Sequence, residues 1–167
     1  MKKCIIPGSY DPVTAGHTAL FRTAAEIFDE VYAVILVNSE KKRGMFSPEE
    51  RLRILISAIS ALESKGYKNI HAILSDRLTT DAARELGAGY IVKGIRGSSD
   101  FGYEYDLSQI TRRFDRTLKT VFIPCDSEMA CVSSTYAREL IKYGKLDSTD
   151  LAEGTSEIIA DIMGNKI

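Results

Sequence analysis

The stretch Pro7-Gly8-Ser9-Tyr10-Asp11-Pro12-Val13-Thr14-Ala15-Gly16-His17 joins small residues that let a backbone come close to a ligand with a single imidazole. That combination suits an anion held at a helix start, where free amides and the helix dipole face outward. It is not a dinucleotide fingerprint, because G-x-G-x-x-G is missing, and without Gly-Lys-Ser/Thr it is not a P-loop. A solitary histidine at a helix start is ordinarily a capping or packing residue. Here the surroundings of His17, rather than its type, turn the reading toward phosphate.

Further segments offer matching chemistry. Lys93-Gly94-Ile95-Arg96 places two cations three apart beside glycines, and Arg96 can grip phosphate oxygens with a planar fork. Val132-Ser133-Ser134-Thr135 sets hydroxyls before a helix, where they serve as caps or hold a terminal phosphate of a nucleotide. Lys41-Lys42-Arg43 offers a mobile lysine, Lys41 or Lys42, to offset developing phosphate charge. His71 and the three cysteines Cys4, Cys125 and Cys131 show no partner pattern and read as structural.

These segments need a frame. Lys3 to Ile6, Val31 to Val37, Ile70 to Leu74, Tyr90 to Val92 and Thr120 to Ile123 are short β-branched runs that predict buried strands. Between them, His17 to Phe28, Pro48 to Lys65, Thr80 to Leu86 and Asp100 to Phe114 carry helical spacing. Ser47-Pro48-Glu49-Glu50 has the order of a capping box with a first-turn proline. Strict alternation predicts an α/β fold: a Rossmann-like five-stranded parallel sheet with helices on both faces. Ser133 to Tyr143 and Ser156 to Met163 follow as C-terminal helices on the core. In such sheets ligands settle beyond the strands' carboxyl ends, so the loops after the first, fourth and fifth strands are where chemistry is expected.

The chain of 167 residues is 44% apolar and has no low-complexity linker, so one domain over 1–167 is expected. Its 22 basic residues nearly cancel 23 acidic ones, which argues against nucleic acid or an anionic membrane as partner. Three unpatterned cysteines and the absence of a long apolar run point to a cytoplasmic location and to no metal-binding motif.

Taken together, Thr14-Ala15-Gly16-His17 after Pro7 to Pro12, Lys41 to Arg51, Gly94-Ile95-Arg96, Asp100-Phe101-Gly102-Tyr103-Glu104 and Val132 to Thr135 resemble the bacterial phosphopantetheine adenylyltransferases, with their T/H-x-G-H motif. The resemblance implies a nucleotidyltransferase fold and transfer of the adenylyl group of ATP to 4'-phosphopantetheine, releasing pyrophosphate, in coenzyme A biosynthesis. It implies that Gly8, Ser9, His17, Arg96, Glu104, Ser133, Ser134 and Thr135 hold ATP. It also implies that Ser9, Lys41 or Lys42, Asp76 and Lys93 face the acceptor, that Mg2+ accompanies ATP, and that the assembly is a homohexamer. His17, Lys41 or Lys42 and Arg96 would carry the catalysis. Lys93 stands where that family usually has arginine, Gly102 where it has glutamate and Thr111 where it has asparagine. Alternatives are another nucleotidylyltransferase, such as one acting on nicotinate mononucleotide, and a noncatalytic nucleotide-binding module. The charge of His17 stays open, since a helix start disfavours the cation and a phosphate favours it.

Overall fold

Alternation along the strands decides which layer each side chain joins. The computed structural model describes residues 1–37, 44–129 and 131–164. Its elements run β1 (Lys3–Gly8), α1 (Ala15–Ile27), β2 (Glu30–Leu36), α2 (Pro48–Glu63), β3 (Ile70–Ser75), α3 (Thr79–Glu85), β4 (Tyr90–Ile95), α4 (Ser98–Phe114) and β5 (Lys119–Pro124). A 3-10 turn (Ser127–Met129), α5 (Ser134–Lys142) and α6 (Ser156–Gly164) follow.

The expected five-stranded Rossmann-like sheet is present, in the order β3-β2-β1-β4-β5 with every pair parallel. Cys4, Ile6, Ala33, Ile35 and Val92 face one layer, where they meet Phe21 of α1, Ile54 and Leu55 of α2, Ala137 of α5 and Ile159 of α6. Ile5, Val34 and Ile91 face the other, against Ala82 and Ala83 of α3. One-residue alternation thus covers both faces, as parallel sheets require.

Some boundaries differ from the sequence expectation. β1 runs on through Pro7-Gly8 and β4 through Lys93-Gly94-Ile95, residues whose types suggest breakers. They stay extended because a neighbour pairs with them: Gly8 is in register with Ile35, and Gly94 with Ile123. α1 begins at Ala15, so His17 is its third residue, and α4 begins at Ser98. The capping box of α2 is made: Glu50 N–H donates to Ser47 Oγ at 3.2 Å, and Ser47 N–H to Glu50 Oε2 at 2.7 Å.

One irregularity shapes the site. β1 pairs with β2 through six residues, from Lys3↔Glu30 to Gly8↔Ile35, but with β4 only at Cys4↔Tyr90 and Ile5↔Ile91. Beyond Ile5 and Ile91 the two central strands part. This is also where the winding of the sheet reverses, toward β2 and β3 on one side and β5 on the other. No helix among the described residues is long and apolar enough to cross a membrane.

Candidate active site

The parting of β1 and β4 opens a cleft of about 400 Å³. Gly8 at the end of β1, Ser9 of the first loop and His17 in the first turn of α1 line it on one side, with Lys93 and Arg96 from β4 and its turn and Glu104 from α4. Ser133, Ser134 and Thr135 close it from the start of α5. These positions, scattered through the sequence, therefore share one cavity. Asp76 follows β3 at the sheet edge, is exposed, and is not among the cleft residues. Lys41 and Lys42 lie outside the described residues.

The first loop is shaped by Tyr10, whose φ of 44° is a left-handed backbone that a bulky residue seldom takes. The turn folds its ring back under the loop, where it is 1% exposed and its hydroxyl donates to Ile6 O at 2.6 Å. A Cβ on Gly8 would lie 2.9 Å from that ring, so only glycine leaves room. The ring meets the His17 imidazole edge-on at 5.0 Å between centroids and packs against Phe21 at 5.6 Å.

His17 is fixed from the other side by Thr14. The Thr14 N–H donates to His17 Nδ1 at 3.0 Å, and Thr14 Oγ1 lies 2.8 Å from the same nitrogen. A nitrogen that accepts carries no proton, so the neutral ring holds its hydrogen on Nε2. Burial, and after it the charge of Arg96, push the imidazole from its ordinary 6.5 down to about 4. The unliganded site therefore presents a neutral imidazole with one N–H to give.

Each described cation of the cleft leans on a carboxylate. Lys93 Nζ is 3.0 Å from Glu104 Oε2. Arg96 Nε lies 3.5 Å from Asp100 Oδ2, which also accepts the Arg96 N–H at 3.1 Å. Arg138 lines the cleft too, donating through Nη1 to Asp11 O at 2.8 Å and through Nη2 to Thr135 Oγ1 at 3.0 Å. Such pairing orients long side chains in advance, which lowers the cost of ordering them around a phosphate. Ser133 is at once a cleft residue and the cap of α5, its Oγ accepting the Tyr136 N–H at 3.2 Å. Ser134 Oγ donates to Pro12 O at 2.9 Å and so ties α5 to the first loop.

Asp11, Arg51 and Arg138 were not singled out from the sequence. The Asp11 carboxylate, 9% exposed, accepts the N–H groups of Met45 and Phe46 at 3.0 Å each. It also sits 3.5 Å from Arg51 Nε and 3.9 Å from Arg138 Nη1. One buried acid thus joins the first loop, the start of α2 and α5. Arg138 had a usable signal, since it stands three residues after Thr135 and so on the same helix face. Asp11 had none, because its partners are distant in sequence. Among the described residues no group of three or more His, Cys, Asp or Glu could hold a metal ion.

Residues 5–140 match the cytidylyltransferase-like family model. The chain is 34% identical over 166 residues to a phosphopantetheine adenylyltransferase of Lachnoclostridium phytofermentans, covering 99% of this chain and 98% of that one. It is 39% identical over 145 residues to the phosphopantetheine adenylyltransferase of Symbiobacterium thermophilum, covering 87% and 86%. Among solved structures, a bifunctional NMN adenylyltransferase/ADP ribose pyrophosphatase from Francisella tularensis superposes with a TM-score of 0.70 at 17% identity, over 98% of this chain and 50% of that one. At that identity the likeness shows the fold alone.

Proposed function

The chain belongs to the phosphopantetheine adenylyltransferase family, within the cytidylyltransferase-like proteins, and on that premise we propose that its cleft joins ATP to 4'-phosphopantetheine. The enzyme is an adenylyltransferase of coenzyme A biosynthesis, giving dephospho-coenzyme A and pyrophosphate. An oxygen of the acceptor phosphate attacks the α-phosphorus of ATP. The bond from that phosphorus to the bridging oxygen breaks, and its electron pair leaves with pyrophosphate. The attacking oxygen is already ionised near neutral pH, so no general base is needed and catalysis is positioning plus charge stabilisation.

The observation that carries this reading is the neutral imidazole of His17, fixed at Nδ1 by Thr14 beside Arg96 in the cleft. Its remaining N–H suits an α-phosphate oxygen whose negative charge grows in the transition state. Arg96 and the Ser133 to Thr135 turn would take the outer phosphates, with Gly8 giving close backbone approach. Ser9 would orient both substrates, Lys93 would face the acceptor, and Glu104 would lie near the ribose or adenine. Lys41 or Lys42 as a charge-stabilising lysine, and Asp76 as an acceptor contact, rest on the family likeness. Magnesium belongs to this proposal as the companion of ATP's phosphates, whose charge it would offset.

Assembly and location extend the same proposal. α4 has no buried residue and exposes Phe101, Tyr103, Ile110 and Phe114, the last to 68%, which supports self-association and the hexamer of the family likeness. Sedimentation of the purified protein tests that. A cytoplasmic location suits an enzyme that draws on ATP. The reaction itself is tested by pyrophosphate release from ATP with phosphopantetheine, with nicotinate mononucleotide, and with neither. Release with phosphopantetheine alone is expected. Release with nicotinate mononucleotide instead would move the acceptor assignment, and ATP binding without release would make the chain a nucleotide-binding module.

A further inference from the structure

We propose that Tyr10 is a positioning residue for adenylyl transfer: its inward-turned ring walls the His17 imidazole from water and, opposite Thr14, keeps it in the form that donates from Nε2. The proposal rests on the adenylyltransfer reading of the same cleft.

Three separate features make the placement a built one. The backbone of Tyr10 is in the left-handed region at φ 44°, where a tyrosine is rare and tolerated only if its surroundings demand it. Its hydroxyl donates back to Ile6 O at 2.6 Å, closing the loop on β1, and burial raises the phenol so that it stays a donor. The missing side chain at Gly8 leaves the space the ring occupies. An exposed tyrosine would require none of this.

The ring stands against the His17 imidazole as Thr14 stands against its Nδ1. An apolar wall disfavours the imidazolium, and an occupied acceptor at Nδ1 selects the tautomer. The titratable groups that share the cleft with His17 are Lys93 and Arg96, Asp100 and Glu104 of α4, Cys125 beyond β5 and Arg138 of α5. Arg96 is the charge among them that reaches the imidazole, and it acts in the same direction as burial. Substitution at Tyr10 leaves Arg96 in place, so a change in His17 titration reads the wall alone.

The test is His17 titration followed by proton and nitrogen NMR of the intact protein, beside kcat against pH. Tyr10→Asn removes the ring while keeping a residue that accepts left-handed backbone. His17 is expected to titrate about one pH unit or more higher in it, and the acid limb of kcat to move up with it. Tyr10→Phe keeps the ring and should leave His17 within about a few tenths of a unit of the unaltered protein. An unchanged titration in Tyr10→Asn, or an equal rise in Tyr10→Phe, overturns the proposal. Should Tyr10→Asn not fold, the unaltered protein still decides: its His17 must titrate well below 6.5 with the hydrogen on Nε2, and a titration at or above the free value, or a hydrogen on Nδ1, refutes the arrangement. These titrations need no substrate, so they judge Tyr10 even if phosphopantetheine proves not to be the acceptor.

Discussion

Lowering the pH should cost this protein stability through His17, by an amount the structure sets. The folded imidazole titrates near about 4 and the free one at 6.5. A group whose folded pKa is depressed gives stability that is whole above the unfolded value and is lost as pH falls through the folded one. The window therefore runs from 6.5 down to about 4. The full difference corresponds to about 3 kcal/mol, and between neutrality and pH of about 5 roughly 2 kcal/mol of it should go. Urea unfolding at a fixed protomer concentration, repeated across this range, measures the loss. The comparison is with His17→Asn, whose amide oxygen can still accept the Thr14 N–H but which does not titrate. His71 and the carboxylates are shared by both proteins and cancel. The unaltered protein should lose about 2 kcal/mol more than the variant. Equal losses would refute the claim that burial holds His17 neutral, and with it the assignment of Nε2–H as the catalytic donor.

Other perturbations read other parts of the site. His17→Ala should reduce turnover much more than ATP affinity, because the donor acts on charge that grows in the transition state; parallel steady-state kinetics and calorimetry separate the two. Gly8→Ala brings a methyl to within 2.9 Å of the Tyr10 ring and should cost about 1 to 3 kcal/mol in thermal or urea unfolding while also slowing turnover. Asp11→Asn leaves Arg51 and Arg138 without their shared anion and should cost about 3 kcal/mol in unfolding, with the α5 side of the cleft losing order in NMR spectra.

Legibility from the sequence followed the range of the interaction. Val31 to Val37 and the other β-branched runs reveal strands because burial on two faces is written in consecutive residues, and Ser47 to Glu50 reveals a helix start because its hydrogen bonds close within four residues. Gly8, Ser9, His17, Lys93, Arg96 and the serine turn were legible as loop and helix-start residues, Glu104 entered through the family resemblance, and all of them line one cleft. The extra length of β1 and β4 was not legible, since Pro7-Gly8 and Gly94 stay extended through pairing with strands elsewhere in the chain. Asp11 was hidden for the same reason: its partners at Phe46 and Arg138 lie 35 and 127 residues away. Tyr10 stands within the first-loop motif, yet nothing in an aromatic residue flanked by Ser9 and Asp11 announces that its ring turns inward.

The position of the site follows from the same parting that ends the β1–β4 ladder. Up to Ile5 and Ile91 the facing amides and carbonyls satisfy one another. Beyond them each strand keeps its outer neighbour, β2 or β5, but loses the inner one. Ile6 O accepts the Tyr10 hydroxyl, and released groups without such a partner need water or a ligand. On the proposed function a triphosphate would supply acceptors for the amides, and Lys93, Arg96 and Arg138, which sit beside Glu104, Asp100 and Asp11, would supply counter-charge. His17 differs from those cations in being neutral, and that separates the two tasks. Charged side chains can neutralise phosphates already present in the ground state, whereas a neutral donor gains most when α-phosphate charge increases. A permanently protonated imidazole would bind substrate and transition state more nearly alike, so its neutrality is what lets it favour the second over the first.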